Sequence, residues 1–270
     1  MIKKTFVLIG IVIGALIITA LGIDAADTIG GVEGTFLSQV IQRGGDGVCP
    51  RDMVEVSAIP GVVCVDAYEA SPGDGCGQKN PEQMLATQQN MNEKECVAES
   101  KQNAIPWRFV TRDQAMQLCA RSGKRLPTSE EWYQISLGMV SPESTCNVSS
   151  KQISTTGTFT NCSAPNGVYD LVGNAWEWVS DDVINGTYKT MQVPTTGYVA
   201  QVDGGGMATM VSDAPQDLFE KDYFWSRADG AYGVIRGGYY DSGTDGGVYT
   251  VHADTPPTTA GTGIGFRCVK

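Results

Sequence analysis

Apolar residues are spread unevenly along the chain. Residues 6–23 form one apolar run with a single polar side chain, Thr19, close to the ~20 residues that span a bilayer. Lys3 and Lys4 precede it, which predicts a cytoplasmic N-terminus and an exported remainder. A cleaved signal peptide is the rival reading. Its apolar region is usually only about 7–15 residues, and Ile23-Asp24-Ala25 is a mediocre cleavage site, so an uncleaved anchor over residues 1–23 is preferred. Residues 24–48 are Gly-rich and weakly amphipathic, with a short helix expected over 32–41, and read as a stalk. From residue 49 to 270 the pattern is one of short elements. Runs at Met53-Val54 and 62–65 flank Pro60-Gly61, a hairpin pattern. Asp66 and Glu69 follow the second run and read as solvated rim charges, with contact to Arg residues elsewhere as the alternative. Residues 71–103 are poor in apolar residues and read as a surface insertion. Thr111 and Gln114 form a capping box, with Ala115, Leu118 and Cys119 on one face, and Gly123 stops that helix. Thr128 and Glu131 open a second helix carrying Trp132 and Ile135. Residues 141–165 read as a Ser/Thr loop and 203–206 as a turn. Residues 248–254 alternate like a strand, and 234–270 read as short strands returning to the core.

One stretch stands apart. Residues 168–178, VYDLVGNAWEW, hold two of the five tryptophans and are too irregular for a helix and too aromatic for a disordered loop. Trp176 and Trp178 read as pins for a buried loop or strand, with Gly173-Asn174 as a tight turn. A site reading adds a cation: Asp170 and Glu177 supply carboxylate oxygens, and Gly173 and Ala175 are small enough to turn main-chain carbonyls inward. Oxygen ligands of that kind suit structural calcium.

The net charge of −11 argues against a nucleic-acid partner. Eight cysteines in an exported chain read as four disulfides. Spacing alone leaves the connectivity open, but local logic suggests one. Cys49 and Cys64 flank the hairpin, Cys76 and Cys96 bracket one polar loop, and Cys146 and Cys162 bracket another. Cys119 and Cys268 remain, to tie a helix to the last strand. No CxxC pair is present, so a structural zinc or thioredoxin-like site is not expected. Asn147, Asn161 and Asn185 open glycosylation triplets.

Three ordered motifs carry a resemblance. GNAWEW after VYDLV, KRLPTSEEW at 124–132, and the ending IRGGYY…GIGFRCVK together resemble the sulfatase-modifying-factor family, whose best-known member is the formylglycine-generating enzyme. The resemblance covers residues 49–270. It implies an α+β, loop-rich variant of the C-type-lectin fold and supports the Cys119–Cys268 bridge. Active enzymes of the family carry two cysteines shortly after RGG, which bind copper. Here those places fall on Ser242 and Gly247, and no cysteine lies between Arg236 and Arg267. Thiolate softness selects copper(I), so neither copper nor formylglycine generation is expected.

Other chemistry is thin. His252 is the chain's one histidine, which excludes a two-histidine iron centre, and no GxSxG elbow is present. The remaining reading is a binding face. Residues 239–263 are rich in Tyr, Asp, Ser, Thr and Gly, a mix that antibody paratopes favour. Contacts are expected from Tyr239, Tyr240, Asp241, Ser242, Thr244, Asp245, Tyr249, His252, Asp254 and Thr255. The partner class is a surface protein or glycan, met by a domain held outside the cell by its N-terminal helix. A loop system that merely closes the domain is the bland reading, and a family enzyme of another activity is the alternative. The RGG-aromatic…GIGFR pattern also resembles the variable region of retroelement-diversified proteins, in which adenines of Asn codons are mutated. Lys, Glu, Gln, Met and Trp, which such changes cannot produce, are absent between Gly237 and Phe266, as is Asn. Tyr240 departs from that pattern, which usually keeps Trp.

Overall fold

Short strands bounded by turn residues open the domain, as their pattern requires. The computed structural model describes residues 48–270 except 57, 140 and 141, and of 142 and 143 the backbone alone. β1 (Met53–Glu55) and β2 (Cys64–Asp66) form an antiparallel hairpin with Met53 opposite Asp66. β3 (Ala70–Pro72) pairs with β4 (Ala98–Ser100), and α1 (Met84–Asn92) lies between them in sequence. Residues 71–103 are therefore not a surface insertion alone. Their polar residues are used inside: Thr87 Oγ1 donates to Arg108 O and accepts from Trp107 Nε1, both at 3.2 Å, and Asn90 bonds both main-chain groups of Gln78 at 2.8 Å. An apolar count misses such an element because hydrogen bonds to the main chain offset the cost of burying these groups.

Both capping boxes form. They start α2 (Arg112–Arg121) and α3 (Ser129–Ser136), and Gly123 follows α2 at φ 66°. α4 (Pro142–Thr145) is a single turn. The rest is mostly sheet. Its strands are β5 (Trp176–Ile184), β6 (Thr187–Tyr188), β7 (Met191–Gln192), β8 (Gly197–Val202), β9 (Ala208–Ser212), β10 (Tyr223–Ser226), β11 (Ala231–Arg236), β12 (Val251–Thr255) and β13 (Ile264–Phe266). They pair in the order β7-β6-β5-β11-β12-β10-β8-β9, with β13 parallel beside the first residues of β5. Among the described residues no helix is long and apolar enough to cross a membrane. The expected anchor, stalk and 32–41 helix fall in residues 1–47, outside the described residues.

The family motifs meet in the core. Glu177 on β5 accepts from Arg267 Nη2 at 2.6 Å, from Arg267 Nε at 2.8 and 2.9 Å, and from Trp132 Nε1 of α3 at 2.7 Å. Arg267 reaches on to the carbonyls of Asp66 at 3.0 Å and Tyr169 at 2.7 Å. Asp66 and Glu69 are consequently not rim charges. Asp66 is fully buried, bonded to Lys124 Nζ at 2.6 Å and Cys268 N at 3.0 Å. Glu69 is buried and accepts from Asn174 Nδ2 at 2.5 Å and Ala175 N at 3.0 Å. Their partners come from 58 to more than 200 residues away, a distance no local pattern encodes.

The eight cysteines form the bridges Cys49–Cys64, Cys76–Cys96, Cys119–Cys268 and Cys146–Cys162. The third joins α2 to the residue after Arg267 across 149 positions, the fourth spans 16. Chain entropy assigns about 5 kcal/mol to the long closure and about 3 kcal/mol to the short one. Replacing Cys119 and Cys268 by Ser is thus expected to destabilise the domain by about 2 kcal/mol more than replacing Cys146 and Cys162. Equilibrium urea unfolding of the two double variants checks the order, and equal losses would show that closure length does not govern it.

Candidate functional site

The row of residues directly opposite one another across β5, β11, β12 and β10 is Trp178, Ile235, His252 and Trp225. Facing positions in neighbouring strands project to the same side. The His252 and Trp225 rings therefore stack, 3.9 Å apart and 3° from parallel. Trp176 lies two residues before Trp178, on the same side, and meets the His252 ring edge-on at 4.9 Å. Its neighbour across the parallel β13 pairing is Ile264. Trp178 is sealed in the core with its Nε1 on Val110 O at 3.0 Å. Trp176 and Trp225 instead wall a cavity of about 450 Å³.

The chain after β11 forms the opposite wall. Gly237 adopts φ 90°, and a Cβ there would sit 2.1 Å from Leu171 O, so only glycine lets β11 end against the 168–178 loop. The next residues turn over the cavity. Tyr239 N donates to Ser242 Oγ at 2.9 Å, and a one-turn 3-10 helix follows at Gly243–Asp245. Tyr239 lies 6.4 Å from Trp176 and 25° from parallel to it. Asp241, Ser242, Asp245 and the segment 261–263 complete the lining. Burial pushes the Asp245 carboxyl up, against the pull of His252. Burial and the neighbouring Asp241 charge push the Tyr239 hydroxyl up.

Of the ten residues expected at a binding face, five line the cavity: Tyr239, Asp241, Ser242, Asp245 and His252. Tyr240 adjoins it, its ring 4.9 Å from Tyr239 and its hydroxyl 3.5 Å from Thr262 Oγ1. Asp254 stands behind the cavity, with Oδ1 3.0 Å from His252 Nδ1. Thr244 is exposed away from it. Tyr249 and Thr255 are corrections. Tyr249 packs on Phe219 at 5.2 Å and Tyr133 at 5.9 Å, against the main core. Thr255 is buried because β12 alternates, turning His252 and Asp254 one way and Val251, Ala253 and Thr255 the other. Trp225 carries no local signal of a site: it arrives on a strand 27 positions from His252, and only the parallel pairing joins them. Trp176 was seen, but as a structural pin.

The four residues expected to hold calcium lie around the Arg267 network. Glu177 is committed to Arg267 and Trp132. Asp170, in the left-handed region at φ 57°, accepts from Gly157 N at 2.6 Å. Burial lifts its carboxyl to about 6 and that of Glu69 well above the usual range, with the Asp170 and Glu177 charges adding to the latter. Among the described residues no three His, Cys, Asp or Glu side chains converge as a metal cluster. A calcium ion here would rest on Asp170 and on the main-chain carbonyls of Gly173 and Ala175. The donors are all oxygens, as a hard cation requires, and four buried carboxyls, Asp66, Glu69, Asp170 and Glu177, lie around Arg267, with Lys124 paired to Asp66. A copper(I) site does not fit. Ser242 and Gly247 offer no sulfur, and a Cβ on Gly247 would lie 2.0 Å from Asp222 Oδ1. Asn147, one of the three glycosylation triplets, is buried with its Nδ2 on Asn174 Oδ1 at 2.9 Å, while Asn161 and Asn185 are exposed.

No curated protein matches the chain. Among solved structures, the Major Tropism Determinant I1 variant is 16% identical over 83% of this chain and 53% of its own, with a TM-score of 0.45. Treponema denticola variable protein 1 is 15% identical over 76% of this chain and 83% of its own, TM-score 0.44. CarF is 15% identical over 77% and 85%, TM-score 0.42. The chain thus spans about half the length of the Major Tropism Determinant variants it matches. The profile of the sulfatase-modifying factor enzyme 1-like domain matches residues 52–270, which takes in all three motifs, the Glu177–Arg267 pair and the cavity. The chain belongs to that family, the FGE-sulfatase domains.

Proposed function

We propose that this protein is a ligand-binding module of the family, held outside the cell by its N-terminal helix, that meets a surface protein or glycan through the face around the Trp176–Trp225 cavity. The observation that carries the reading is the division of labour in that face. Rigid aromatic walls come from β5 and β10, and small polar residues of the 239–245 turn lie over them. The second support is chemical: where the family's copper-binding thiols would stand, the chain has Ser242 and Gly247. Diversification of residues 237–266 belongs to the same reading. It would vary the turn while Trp176 and Trp225, outside that stretch, stay constant. A reverse transcriptase gene with a near-copy of this coding region beside it is the observation that decides it. Structural calcium beside Asp170 is also part of the proposal, because a cation there offsets the buried negative charge.

Each part has a measurement. Incubation with a Cys-containing sulfatase peptide and copper is expected to yield no aldehyde; aldehyde would overturn the thiol argument. Calorimetric melting is expected to give a lower midpoint in chelator than in calcium, and an unchanged midpoint with no metal by elemental analysis rejects the calcium. Arrays of glycans and of cell-surface ectodomains, probed with the labelled protein, are expected to give signals that weaken at least about tenfold when Trp225 and Tyr239 are both changed to Ala. The variant loses two rings that pack against the core, so it is expected to melt below the parent while staying folded by circular dichroism. Wild-type signal from a folded variant, or no signal from the parent on either array, defeats the binding-face reading.

A further inference from the structure

The cavity's walls and its charges differ in kind. Three aromatic side chains, Trp176, Trp225 and Tyr239, and the apolar Ile264 supply the surface. The charged side chains in the lining are Asp241 and Asp245, and no Lys or Arg is among the lining residues. Asp241 is exposed at the rim. Asp245 is half-buried, and His252 is the group that favours its ionised form. A third carboxylate, Asp254, stands behind His252 at 3.0 Å.

That combination discriminates between ligand classes. The lining carries two carboxylates and no Lys or Arg, so a cationic ligand gains over a neutral sugar of similar size. A primary ammonium has three N–H donors to satisfy; Asp241 and Asp245 can accept, but the indole faces and the isoleucine cannot, so seating it against the aromatic wall costs desolvation. A quaternary, trimethylated ammonium has none to satisfy. It spreads its charge over methyl groups that pack on aromatic faces and are attracted by them, and nearby carboxylates strengthen the attraction. Extending the ligand-binding reading above, on which this rests, we propose that the cavity takes a quaternary ammonium group, with Trp176, Trp225 and Tyr239 as its aromatic walls and Asp241 and Asp245 as its counter-charges.

The test uses the full chain and two probes of the same shape. Choline carries a trimethylammonium group; 3,3-dimethylbutan-1-ol replaces its nitrogen by carbon and carries no charge. Titration followed by tryptophan fluorescence is expected to show saturable choline binding at least about tenfold tighter than its isostere. In the Asp241→Asn/Asp245→Asn variant the preference for choline should fall by about threefold or more, with the isostere's affinity little changed. Equal affinities in the parent protein, or no saturable response to choline, would overturn the proposal. The parent comparison alone suffices if the variant does not fold. The two readings fail separately: array binding without choline binding removes the ammonium class alone, and choline binding without array binding removes the macromolecular partner and leaves the cavity's chemistry standing.

Discussion

The buried ion pair between Glu177 and Arg267 is the contact on which the domain's assembly rests. It joins the second and third of the three motifs, 90 residues apart, and both residues are fully buried. A charge in such a place is tolerated only when its partners are complete. Glu177 meets that condition through Arg267 and Trp132, and Arg267 through the carbonyls of Asp66 and Tyr169. One pair therefore fixes β5 against β13, α3 against β5, and the first hairpin against both. Removing one member of such a pair typically costs about 3–5 kcal/mol, because the other is left buried and unpaired.

Arg236 repeats the device at the other side of α3. It is fully buried, donates to Ser129 Oγ at 2.7 Å and Gly206 O at 2.9 Å, and lies over the Trp132 ring at 5.5 Å. Burial depresses its pKa to about 10, which still leaves it charged at neutral pH. With Arg236 held, Gly237 can turn the chain away from the sheet at a fixed point. The 239–245 turn then arrives over Trp176 and Trp225 rather than elsewhere on the surface. The rigid core and the exposed cavity thus share a boundary at RGG. Arg236 and Gly237 are buried and held by packing and hydrogen bonding, whereas the residues of the 239–245 turn are exposed or half-buried.

Positions 242 and 247, where the resemblance would place thiols, lie beyond that boundary. Nothing in the Glu177–Arg267 network or in the Arg236 contacts depends on what occupies positions 242 and 247. At 247 the Asp222 carboxylate now fills the space a side chain would need, so the enzyme's thiol pair is not one substitution away.

Local sequence determined those features whose physics is local. The two capping boxes, the Pro60-Gly61 hairpin and the turn at 203–206 need only neighbours within a few residues to satisfy their hydrogen bonds. The motif order pointed to the family, and local logic drew the cysteine pairs. What only the tertiary structure decided are the pairings that close over long separations. Asp66 and Glu69 look like surface acids until Lys124 and Asn174 arrive beside them. Tyr249 and Tyr239 have the same composition around them, yet one packs on Phe219 and the other faces the cavity. Trp225 acquires its role only because a parallel pairing lays it beside His252. Side-chain direction in a strand follows from period, but which strand lies alongside is settled by burial and hydrogen bonding across the whole sheet, and that information is not carried by any single stretch of the chain.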